Sequence, residues 1–190
     1  MVTEKTTRQG QHRNDFEDEF HRLLGRLVHA HARFDFNVGL QLNWLGPYYQ
    51  VEVAELLDPG QTQLCKRLRK FKQLVLDVFK PAGEEALAEF TAWFERADKV
   101  RALRNDYVHG RWGVKYDFKP PGRIIDAEPR LCFVPLHWDM APDRPDDSIS
   151  MSLDEFASQV DAVEALFADY LHLSERYMQY AKLSPSAGSR

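Results

Sequence analysis

The stretch RALRNDYVHGRWG, residues 101–113, crowds Arg101, Arg104, Asn105, His109 and Arg111 into the end of a helix-forming run. These residue types act on anions and protons. A guanidinium holds a phosphate or carboxylate through paired N–H donors, and an imidazole near neutral pH takes or gives a proton. Placement sharpens the point. With Ala97 at zero and about 100° per residue, Phe90, Trp93 and Phe94 mark an apolar face between about 320° and 60°. Arg101, Arg104 and Asn105 fall at about 40°, 340° and 80°, on the side that earlier turns give to packing. An unpaired buried guanidinium costs several kcal/mol, so each needs an acidic partner, a ligand or a wet interface. A plainer account competes: His109 before Gly110 suits a helix C-terminus, where exposed carbonyls favour a cation, and the arginines pair with acids elsewhere in the fold.

The elements that must position these groups are legible as periodicity. From Asp15, the apolar residues Phe16, Phe20, Leu23, Leu24, Leu27, Phe34, Val38 and Leu42 recur every three or four positions, predicting one long amphipathic helix that Gly46 and Pro47 end. A short helical piece, YQVEVAELL, follows. Leu64, Leu68, Phe71, Val75 and Phe79 mark the next helix, closed by Pro81, and Leu87 to Val100 a further one that carries the candidate residues to His109. After Gly113 the period falls to two: Val114, Tyr116 and Phe118 alternate, PPGR reads as a turn, RLCFVPLHW as a second strand and SISM as a third. Ser152 and Glu155 form a capping box, with Met151 and Phe156 as its staple, and a last helix runs to about Lys182. The expected fold is all-α: a bundle of four main helices with a small β insertion over about 112–151. One domain is expected over residues 13–183, with flexible ends at 1–12 and 184–190.

Composition removes several function classes. The chain has 190 residues and a net charge of −4, so its surface is not generally basic and any nucleic-acid contact is a local patch. Cys65 and Cys132 lack metal-ligand spacing, and no apolar run is long enough for a membrane span, so a reduced cytoplasm is expected. There is no P-loop, no G-x-S-x-G and no H-E-x-x-H. His29 and His31, two apart on a helix, point to different sides, and His31 lies on the apolar stripe as a core histidine. The basic run CKRLRKFK, residues 65–72, reads first as a solvated helix face and second as a groove for an RNA backbone.

The run Arg104-Asn105-Asp106-Tyr107-Val108-His109 resembles the R-x-x-x-x-H motif of HEPN-domain proteins, in the form with a polar residue directly after the arginine. Arginine followed by histidine at such spacings arises by chance about twice in a chain of this composition, and three other matches occur: Arg22 with His29, Arg26 with His31, and Arg130 with His137. Context separates the 104–109 match: asparagine after the arginine, glycine after the histidine, and the end of a core helix. The resemblance implies a helical bundle acting as a metal-independent endoribonuclease, with no cofactor, of the kind found in toxins, phage-defence effectors and RNA processing. It implies RNA as substrate, a homodimer whose two motifs face each other, and an antitoxin or regulatory protein as a further partner. In this scheme Arg104 and His109 are catalytic with Asn105 supporting, Arg101 and Arg111 guide RNA, and Tyr107 or Trp112 stacks on a base. Arg111 stands where members silenced by adenylylation carry a tyrosine, which argues against that regulation. The alternative is a HEPN-like protein without activity, serving interaction or nucleotide sensing.

Overall fold

The computed structural model describes residues 2–48, 52–58, 63–115, 118–119, 123–124, 129–134 and 149–181. The chain is mostly helical with a small antiparallel sheet. Its helices are α1 (Val2–Tyr48), α2 (Ala54–Leu57), α3 (Leu64–Phe79), α4 (Glu84–His109) and α5 (Leu153–Tyr177). Strands β1 (Arg111–Lys115), β4 (Arg130–Val134) and β5 (Ile149–Met151) form one sheet, and β2 (Phe118–Lys119) pairs with β3 (Arg123–Ile124). Among the described residues no helix is long and apolar enough to cross a membrane. The expected turn at 120–122, the acidic loop at 137–147 and the tail from 184 lie outside the described residues.

The chain divides into two compact units: Met1–His29 with Leu103–Ala162, and Ala30–Ala102 with Val163–Arg190. In the second, Phe34, Val38, Leu42 and Leu45 of α1, Leu68 to Phe79 of α3, Phe90 to Ala97 of α4, and Leu166 and Tyr170 of α5 share one core. Trp93 sits at its centre, edge-on to Phe71 and Phe94, and its indole N–H donates to the Leu166 carbonyl at 2.7 Å, so burying the ring strands no polar group. Burial pushes the Tyr170 hydroxyl up to about 12.

The other unit holds the sheet. Leu131 and Phe133 of β4 and Met151 of β5 are buried with Phe20, Leu23 and Leu27 of α1, Tyr107 of α4, and Phe156 and Val160 of α5. The register sets Trp112 opposite Phe133 and Gly113 opposite Cys132, and on the other edge Leu131 opposite Met151. The α5 entrance follows the expected capping box. Ser152 Oγ accepts from the Glu155 N–H at 3.1 Å, and Glu155 Oε2 accepts from the Ser152 N–H at 2.6 Å.

One boundary differs from the expectation: helix α1 begins at Val2, well before Asp15, while its end at Tyr48 comes one residue after Pro47, where the Gly46–Pro47 signal puts it. Pro47 can be accommodated because a proline in the last turn forfeits a single i→i−4 bond, where the helix is about to lose its bonding anyway. Between α3 and α4, Pro81 falls in a short 3-10 turn, Lys80–Ala82, as a closing signal should. Gly83 follows at φ 95°, a conformation open to glycine, and its carbonyl accepts from the Leu87 N–H to start α4.

Gly110 joins α4 to β1, and it is glycine for want of space. A Cβ there would collide with the edge of the Phe133 ring and lie 2.8 Å from the Val134 carbonyl oxygen. Gly110→Ala should therefore lower stability by about 1–3 kcal/mol through overpacking, read as an earlier urea midpoint with an unchanged slope. A second expectation concerns pH. The Ser152 N–H, and less strongly the Arg130 guanidinium, hold the Glu155 carboxyl below its ordinary value of 4.5. Its contribution is full above that ordinary value and is lost as pH falls through the lowered one. Glu155→Gln should remove this part of the pH dependence, so that wild-type and variant urea midpoints converge between about pH 5 and 3.

Candidate functional site

The site is the last turns of α4 and the start of β1. His109 is the final helical residue, basic in the last turn and exposed, where the free carbonyls and the helix dipole favour a cation. Arg104 is exposed as well. Nothing of the Asn105 side chain is described, although its backbone is helical.

What fixes these groups in place is a set of buried aromatic rings. Tyr107 is 5% exposed, and its hydroxyl donates to Gln159 Oε1 of α5 at 2.6 Å. Its ring lies against Trp112 at 4.7 Å, Phe133 at 5.4 Å and Phe156 at 5.9 Å between centroids. Trp112 also packs on Phe20, Phe133 and Phe156, and its indole N–H donates to the Tyr107 carbonyl at 3.3 Å. That last bond satisfies one of the carbonyls a helix end leaves open. Strand β1 alternates, so Arg111 and Gly113 face solvent while Trp112 turns inward.

Two expectations are corrected by these positions. Tyr107, read as a platform for a base, is a packing residue, buried in the aromatic cluster, whereas Trp112 packs on the same cluster while staying half-buried. The arginines do not enter a buried face. Arg104 is exposed, and Arg101, which belongs to the other unit, pairs through Nε with Asp98 at 2.7 Å one turn earlier on its own helix. The Asp98 carboxylate holds the Arg101 guanidinium above its ordinary value. The helical-wheel estimate fails because the buried direction of a helix is set by its neighbours. In the last turns of α4 the buried residue is Tyr107, at about 280° on the same wheel, which leaves Arg104 on the flank with a side chain long enough to reach water.

The competing Arg/His pairs resolve into structure. Arg22 pairs with Glu19 at 2.6 Å, Arg26 with Asp161 at 2.8 Å, and Arg130 bonds both Ser150 and Glu155. His31 is buried at 6% exposure, as the apolar stripe predicts, and His137 lies outside the described residues. Among the described residues no group of three or more His, Cys, Asp and Glu is arranged to hold a metal ion.

Gln159, Phe20 and Phe133 support the site and were not legible as such, because each is separated from residues 104–112 by long stretches of chain. Tyr107→Phe keeps the ring and removes the hydroxyl, leaving Gln159 without its 2.6 Å donor. Stability should fall by about 1 kcal/mol with the near-ultraviolet circular dichroism of the cluster retained, whereas Tyr107→Ala should cost about 3–5 kcal/mol. Comparison with protein-family models, with curated proteins and with solved structures finds no match for this chain.

Proposed function

We propose that this protein is a HEPN-like, metal-independent endoribonuclease, acting as a homodimer, of the toxin or phage-defence kind. The observation that carries the reading is that His109 in the last turn of α4 and Arg104 on the same helix end are both exposed, beside an anchor of buried Tyr107 and half-buried Trp112. Exposure leaves both groups able to meet a large substrate, and the anchor limits the movement that would spoil alignment.

In this mechanism the His109 imidazole takes the proton of a ribose 2′-hydroxyl. The 2′-oxygen forms a bond to the adjacent phosphorus as the bond from phosphorus to the 5′-oxygen breaks. Arg104 bonds the non-bridging phosphate oxygens, whose charge grows in the transition state. Asn105 keeps the supporting role that the resemblance gives it, orienting the imidazole or bonding the phosphate. On an ideal helix, five residues separate two side chains by about 140° and about 7.5 Å of rise, so Arg104 and His109 of one copy do not converge on a single atom. A second copy related by a two-fold axis supplies the complement. Its His109 protonates the departing 5′-oxygen, and the product carries a 2′,3′-cyclic phosphate. Arg111, exposed on β1, guides the strand.

The test is cleavage of RNA in EDTA. The wild type should leave 2′,3′-cyclic phosphate ends and spare a strand with 2′-deoxyribose at the cut position. His109→Ala should lose about 10²–10⁴-fold in rate, and Arg104→Ala about 10²–10³-fold. Cleavage that survives both changes removes the site. A wild type that cleaves no RNA leaves the other reading, a HEPN-like interaction or nucleotide-sensing protein whose Arg104 and Arg111 contact an anionic partner.

A further inference from the structure

We infer that the unit formed by Ala30–Ala102 and Val163–Arg190 carries a docking surface for single-stranded RNA, made of the basic outer face of α3 and the exposed Phe36 ring of α1. The inference stands on its own observations and does not require Arg104 or His109 to be catalytic.

Helix α3 is anomalous in a chain of net charge −4. Lys66, Arg67, Arg69, Lys70 and Lys72 fall within seven residues, and no Asp or Glu occurs between Asp58 and Asp77. One of the five is used structurally: Arg67, mostly buried, binds Asp35 of α1 at 2.7 Å. Lys70 reaches the neutral Gln73 at 3.2 Å. Among the described residues, Lys66, Arg69 and Lys72 make no ion pair, and Lys66 and Arg69 are exposed. Elsewhere in this unit Arg96 pairs with Asp169 and Arg176 with Glu89. A helix face that carries several unmatched cations and no acid costs self-repulsion, and a polyanion relieves it.

The Arg67–Asp35 pair also ties this helix to α1 at one point, and Phe36 is the residue next to Asp35. Phe36 is 66% exposed, out of phase with the buried Phe34 and Val38 on either side of it. Leu40 and Trp44 continue the exposed stripe one and two turns later. An exposed aromatic ring on the helix that Arg67 ties to α3, together with unmatched cations on α3 itself, supplies the two kinds of group that take single-stranded nucleic acid: phosphates on the cations, a splayed base on the ring. A duplex, with its bases stacked inside, engages only the cations.

Binding is read by fluorescence anisotropy of the full-length protein with a labelled, fully 2′-O-methylated single-stranded RNA, which cannot undergo attack by a 2′-hydroxyl, so that binding and cleavage are separate readouts. Affinity should fall steeply with salt. The triple variant Lys66→Gln/Arg69→Gln/Lys70→Gln should lower the slope of log K against log salt by about 2, at about 0.7 per neutralised phosphate. Phe36→Ala should weaken binding roughly 5- to 100-fold at an unchanged slope, as loss of one stacked base does, and the duplex of the same sequence should bind more weakly and be indifferent to Phe36→Ala. Circular dichroism and melting establish that each variant is folded. Wild-type affinity and slope in the triple variant would overturn the inference. So would a Phe36→Ala variant that binds the single strand as the wild type does, the result expected if this face instead receives an acidic protein.

Discussion

The contact on which the candidate site depends is the one between Gly110 and Phe133. The ring edge fills the space a side chain at 110 would need, so the chain can pass from helix to strand at this point only through glycine. That close approach fixes where α4 stops, and with it which residue is the last helical one. It also seats β1 on β4 with Trp112 opposite Phe133, which places Trp112 on the inward side and Arg111 and Gly113 on the outward side. Tyr107, one turn back on α4, closes the cluster from the helix side. The exposed His109 therefore lies in sequence between a buried Tyr107 and a half-buried Trp112, and its position is set by packing on both sides of it.

How far this was readable in sequence depended on the range of the interaction. The capping box at Ser152 and Glu155 was legible because both partners sit within one turn and no distant contact competes. The long helices were legible for the same kind of reason, since a repeat of apolar positions every three or four residues has one economical interpretation. Gly46 and Pro47 marked the end of α1 for a local reason too, since a proline has no N–H to carry the helix on, and α1 stops at Tyr48. At Gly110, the glycine itself pointed to the helix end, but the reason for it came from a strand more than twenty residues downstream, which no local pattern announces.

The arginines show the limit more sharply. A wheel drawn from Phe90 to Ala97 extrapolates one buried direction through the rest of α4, and that assumption fails where the helix passes from one unit's core to another's. Arg101 finds Asp98 one turn back, an exposed i,i+3 pair of the sort that adds at most about 1 kcal/mol. Arg104 stays outside while Tyr107 goes in. Of the polar residues of the run, Arg104, His109 and Arg111 lie exposed, whereas the Tyr107 ring between them, read as a platform for a base, belongs to the core. Aromatic residues at helical spacing bury 150–250 Å² each, roughly, and such area is more often retained for packing than left for a passing base.

That division of labour has a consequence for interpreting loss of function at this site. His109, Arg104 and Arg111 are exposed, so truncating them removes little buried surface, and surface changes of this kind generally shift stability by less than about 0.5 kcal/mol. Tyr107, Trp112 and Phe133 are the reverse: removing any of their rings alters the packing at the end of α4 and hence the support of His109. A defect caused by the first group reports on chemistry or binding directly. A defect caused by the second reports on positioning, and it separates from a simple folding loss only when Tyr107→Phe, which keeps the ring, is set beside Tyr107→Ala, which does not.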